Sequence, residues 1–283
     1  MNRGKHVGWA ALILVLLISG WGGVHLVHAS QTRTQSSQVV TLFVHGYGSS
    51  AHAEQHMVKA AERAGVTRTV VRADVSTRGK VHLSRKFSKQ AKNPIVEVQF
   101  AANREPQSTK NAAWLHQVIV QLQREDHVQR INFVGHSKGN VDIMTYLLRY
   151  GSDPNLPRVE KQVAIAGPFN GVLRMTGSNS PLTKAGVPTQ PTATYQRIAQ
   201  LRRTYPQGIR VLNIYGNVNG TNADGTVGNN SSRAMRSLTV RAKSYRAVMI
   251  SGWKAQHSRL HANHQVDQLL IHFLWQNRIK EVR

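Results

Sequence analysis

The chain contains no cysteine. A disulfide framework, a thiolate metal site and a cysteine nucleophile are therefore excluded. Acidic residues are scarce as well: 13 Asp and Glu stand against 37 Lys and Arg, for a formal net charge of +24. So few carboxylates leave few candidates for any step that needs one. Metal-ligand spacing of the H-E-x-x-H kind is missing, and no metal or other cofactor is expected. Internal repeats are missing too, and the cations form no dense run longer than pairs such as Arg85-Lys86 and Arg202-Arg203. With no nucleic-acid motif beside it, that dispersed charge predicts attraction to an anionic cell envelope and no specific nucleic-acid partner.

At 283 residues, 40% hydrophobic and 18% charged, the chain can bury one substantial core. Its beginning stands apart. Arg3, Lys5 and His6 precede an apolar run from Val7 to Ile18, and Val27-His28-Ala29 offers a small-residue cleavage site. Residues 1–30 read as a cleaved signal peptide or, if uncleaved, a membrane anchor. Either places the remainder outside the cytoplasmic membrane, secreted or held at the cell surface. Residues 31–38 read as a polar linker and 39–283 as one domain.

Within that domain β-like and α-like segments alternate, which predicts a mostly parallel central sheet with helices on both faces. Strands are expected at Val39–Val44, Thr69–Val75, Ile95–Phe100, Ile131–Val134, Gln162–Ala166, Arg210–Tyr215 and Ala247–Ile250. Helices are expected at Ala53–Ala64, Asn111–Arg124 and Lys138–Tyr150, and at the C-terminus, where Val266, Leu269, Leu270, Phe273 and Leu274 share one face. Ser76 to Asn93 is basic and polar, with no element assigned. Residues 168–206, rich in Gly, Ser, Thr, Asn and Pro, read as a small cap or lid insertion with one helical stretch near Tyr195–Leu201.

The chemistry centres on Gly135-His136-Ser137-Lys138-Gly139, directly after Ile131–Val134. A serine with glycine two residues to either side, where a strand yields to a helix, is the nucleophile-elbow pattern of the α/β-hydrolase fold. A serine hydroxyl needs an imidazole to take its proton and a carboxylate to orient that imidazole. In this fold the chain order is Ser, acid, His. Between Ser137 and the C-terminal histidines stand only Asp142, Asp153, Glu160 and Asp224. Asp142 falls inside the helix behind the serine, Asp153 follows that helix's exit, and Glu160 enters a strand at its far end. Asp224 lies in a loop at a strand's C-terminal edge and is the expected acid, with a plain turn before Gly225 as its blander reading. His257, nearest the last strand, is the expected base ahead of His261, with His264 and His272 further along. The backbone N–H groups of Lys138 and of Tyr47, in the His45-Gly46-Tyr47-Gly48 strand exit, are the expected oxyanion hole. His136 reads as structural.

Phe43-to-Gly48, Val134-to-Gly139, Ala166-to-Gly171, the Asn222-to-Gly225 loop and His257-to-Asn263 follow one another in an order that resembles the DUF915 family. These are α/β-hydrolases, lipase-like cell surface hydrolases of lactobacilli and other Firmicutes. The resemblance runs from about Val39 to Trp275. It implies Ser137, Asp224 and His257 as the catalytic set of an extracytoplasmic serine esterase. Two departures stand out: Lys138-Gly139-Asn140 where relatives carry Met-Gly-Gly, and the basicity. The Lys138 charge beside the nucleophile implies an altered substrate preference. The expected reaction cleaves a small ester or lipid-like substrate through an acyl-enzyme. Acyl transfer, amide hydrolysis and a non-catalytic basic surface module are the alternatives.

Overall fold

The computed structural model describes residues 38–276 apart from Lys89. The expected signal or anchor at 1–30 and nearly all of the linker lie outside these residues. The described strands are β1 (Val39–Val44), β2 (Val70–Val75), β3 (Val81–Leu83), β4 (Ile95–Phe100), β5 (Arg130–His136), β6 (Arg158–Ile165), β7 (Arg210–Asn217) and β8 (Ser244–Ser251). They form one sheet in the order β3-β2-β4-β1-β5-β6-β7-β8. Neighbours run parallel throughout, except that β2 and β3 are antiparallel.

A parallel sheet is covered on both faces, so its strands carry apolar side chains on both. β1 shows this: Val40, Leu42 and Val44 enter one buried cluster, and Phe43, pointing the other way, enters a second. Helices α1 (Gln55–Arg63) and α4 (His264–Ile271) close the Phe43 side through Met57, Val58, Val266 and Leu270. Helices α2 (Ser108–Asp126) and α3 (Lys138–Tyr150) close the other through Leu115, Ile119, Met144 and Leu147. Gly65, at φ 67°, stands just past α1, where a left-handed residue ends a helix. Among the described residues no helix is long and apolar enough to cross a membrane.

The structure corrects the sequence reading in detail. β3 was not expected: three residues in a basic, polar stretch carry too little pattern, and pairing with β2 supplies the reason for it. β6 begins at Arg158, four residues before the expected start at Gln162. The single helical stretch near 195–201 is two short helices, Ala193–Ile198 and Leu201–Thr204. Ahead of them the irregular segment is knitted around buried Asn170, whose side-chain amide donates to the Gly177 carbonyl and accepts from the Thr192 N–H. It is bonded to the loop and short helix (Asn229–Arg233) that follow β7, with Ser231 Oγ donating to the Gly171 carbonyl at 2.7 Å and the Leu173 N–H donating to the Thr226 carbonyl at 2.9 Å.

Candidate active site

β5 and α3 meet at Ser137, which holds φ 51° and ψ −127°. That conformation costs a non-glycine residue about 1–3 kcal/mol and is held by its surroundings. The Ser137 N–H donates to the Ile165 carbonyl of β6 at 3.0 Å. The Asn140 side-chain amide donates to the Ile165 and Ser137 carbonyls at 2.9 and 3.2 Å. The flanking glycines are there for space. A Cβ on Gly135 would strike the Asn140 side chain, and one on Gly139 the carbonyl oxygens of Val44 and His45. α3 thereby starts directly against the end of β1.

That contact brings the His45–Gly48 loop to the serine. A Cβ built on Gly46 would sit 3.0 Å from Ser137 Cβ and 3.5 Å from its Oγ. His45 pins the loop from below. The Phe100 N–H donates to its Nε2 at 3.3 Å, which leaves the Nδ1–H to donate to the Gly46 carbonyl at 2.8 Å. Burial lowers the His45 pKa and favours this neutral form. The Tyr47 N–H makes no backbone hydrogen bond among the described residues. The Lys138 N–H opens the first turn of α3, where the helix offers it no acceptor and its dipole is positive.

His257 reaches Ser137 from the loop after β8, its Nε2 2.9 Å from the serine Oγ. On its other side Nδ1 lies 2.7 Å from Asp224 Oδ2. With Nδ1–H donating to the carboxylate, Nε2 is free to accept the serine proton. Asp224 is 1% exposed. Its Oδ1 accepts from the N–H groups of Thr226 and Val227 at 2.8 and 2.7 Å, so the carboxylate is fixed from behind. The backbones are joined as well, the His257 N–H donating to the Asp224 carbonyl at 2.9 Å.

The competing acids are engaged elsewhere. Asp142 is buried in α3 between Lys138 Nζ at 2.7 Å and the Asn111 side chain at 2.9 Å. Asp153 accepts from the Asn155 N–H, and Glu160 pairs with Arg130 and Arg158. The Lys138 ammonium lies 2.7 Å from Asp142 Oδ1, at the i,i+4 spacing that favours such a pair on a helix. His261 has no hydrogen bond to Ser137 or Asp224; its ring packs edge-on against His136 at 4.9 Å.

His136, read as structural, touches the site. Its Nε2–H donates to the His257 carbonyl at 3.1 Å, and the two rings lie 4.9 Å apart. Burial, followed by its His257 and His261 neighbours, pushes its pKa well below the usual histidine value, so the ring stays neutral. Its partner is 121 residues away, and no local pattern announces it.

A strained serine between strand and helix, on a mostly parallel sheet with an imidazole and a buried carboxylate at the same edge, defines an α/β-hydrolase fold. The chain belongs to the DUF915 family, alpha/beta hydrolases of unknown function, whose sequence profile matches residues 28–277. The crystal structure of the lin2722 gene product of Listeria innocua is similar to it at 23% identity and a TM-score of 0.77, covering 87% of this chain and 97% of that one. A proposed cell surface hydrolase of Lactobacillus plantarum is similar at 21% identity and a TM-score of 0.70, covering 86% and 94%. No curated protein matches the chain in sequence.

Proposed function

We propose that this protein is a serine hydrolase that cleaves carboxylic esters outside the cytoplasmic membrane. One observation carries the reading: a single imidazole bridges the Ser137 hydroxyl at 2.9 Å and the Asp224 carboxylate at 2.7 Å. Ser137 attacks the ester carbonyl as its proton passes to His257 Nε2, and Asp224 steadies the imidazolium that forms. The negative oxygen of the tetrahedral intermediate is received by the Tyr47 and Lys138 N–H groups, each worth roughly 3 kcal/mol by deletion. The imidazolium then protonates the leaving alcohol, and water, activated by the same base, releases the acyl group. The location rests on the sequence of residues 1–30.

The test is fluorophosphonate labelling together with turnover of a short-chain p-nitrophenyl ester. Wild type is expected to be labelled and active, and Ser137→Ala to lose both while melting at an unchanged temperature. An inert, unlabelled wild type that adsorbs to cell walls in a salt-sensitive way would replace this reading with a non-catalytic binding module.

A further inference from the structure

Beside the loop that carries His257 lies a cavity of about 390 Å³ whose wall includes Arg63, Lys254, Arg259 and Trp253. Among the described residues no carboxylate comes within salt-bridge distance of any of these three cations. The acid on the wall, Asp267, is buried, which raises its pKa; its Oδ2 is taken by His56 at 2.9 Å, while its Oδ1 has no hydrogen-bond partner among the described residues. Arg259 lies over the Trp253 ring, its guanidinium carbon 4.3 Å from the centroid, and Lys254 Nζ is 5.7 Å from the same ring. Stacking occupies a guanidinium's face and leaves its in-plane N–H edges free, the geometry that meets two oxygens of a tetrahedral anion. Trp253 is 59% exposed, but Arg259 lies over its ring and the cations sit on the wall of a cavity, which a discrete anionic group can enter and a flat bilayer cannot fill.

We propose that this cavity is a binding site for a phosphate or phosphodiester group of a soluble ligand. Arg259 is held in place by Trp253, and Arg63 and Lys254 supply the remaining charge. The site is separate from ester cleavage: its residues include none of Ser137, His257 or Asp224, and its occupancy is read directly as binding.

The experiment measures binding by calorimetry to the full chain, with short-chain polyphosphate, inorganic phosphate and phosphatidylglycerol vesicles as probes. The variant Arg63→Gln/Lys254→Gln/Arg259→Gln is compared with a control of equal charge change, Arg68→Gln/Lys92→Gln/Arg202→Gln. Polyphosphate binding is expected to weaken at least about tenfold in the first and less than about twofold in the control, with inorganic phosphate competing. Should the triple variant fail to fold, Arg259→Gln alone carries the comparison. Equal losses in both variants would mean diffuse surface charge and overturn the site. Absence of binding to either soluble probe, or binding to vesicles alone, overturns it as well.

Discussion

Exchanging Asp224 for Asn keeps the side chain's shape and turns one acceptor into a donor. The backbone dictates which way the amide points. The Thr226 and Val227 N–H groups reach Oδ1 at 2.8 and 2.7 Å, so the amide oxygen must stay there and the NH₂ must face His257. An NH₂ cannot accept from Nδ1–H. The imidazole then carries its proton on Nε2 and donates to Ser137 Oγ, where it should accept. On the triad logic kcat falls on the order of 10⁴-fold, or about 5.5 kcal/mol of transition-state stabilisation. Both backbone bonds to the residue survive, so the fold should survive too. The assay is steady-state turnover of a p-nitrophenyl ester, with circular dichroism as the folding check. Asp153→Asn is the control, because among the described residues its carboxylate accepts only from the neighbouring Asn155. A loss in Asp224→Asn no larger than in that control refutes the assignment.

Two further changes probe groups around this centre. Burial, with Glu97 nearby, pushes the Glu54 carboxyl up to about 8 from its ordinary 4.5, and neither oxygen has a hydrogen-bond partner among the described residues. The folded state therefore holds a proton that the unfolded state gives up above about pH 4.5, so this residue removes stability as pH rises from there to about 8. Glu54→Gln should abolish that slope and stabilise the protein at pH 7 by about 3 kcal/mol, read from urea midpoints at pH 5 and pH 7; parallel midpoint shifts in both proteins would refute it. His136→Phe keeps a ring but leaves the buried His257 carbonyl without its donor, so kcat should drop about tenfold at little change in KM. His136→Gln, which restores an N–H, should recover most of that loss, and equal behaviour of the two variants would show that the hydrogen bond is not the cause.

Much of this is legible in the chain because it is written locally. β4 and α3 lie where their apolar runs put them, Ile95–Phe100 and Lys138–Tyr150. The scarcity of acids narrows the partner of His257 to a few positions, and the chain order Ser, acid, His chooses among them. Other features depend on contacts that the sequence does not display. β3 exists through its ladder with β2, and His136 bonds to a carbonyl 121 residues away. The pairing of Lys138 with Asp142 belongs between these cases, since one helical turn separates the two residues.

His257 is held by its main chain as well as by its ring. Its N–H is tied to Asp224 and its carbonyl to the side chain of His136, the residue beside Ser137. On the proposed function, the general base is thus braced to both of its partners' segments before any substrate arrives. In the proposed reaction such an apparatus would be standing machinery, with no assembly step in its working cycle. Whatever motion admits a bulky reactant has to be borne by neighbouring stretches of chain, because displacing the brace would dismantle the chemistry itself.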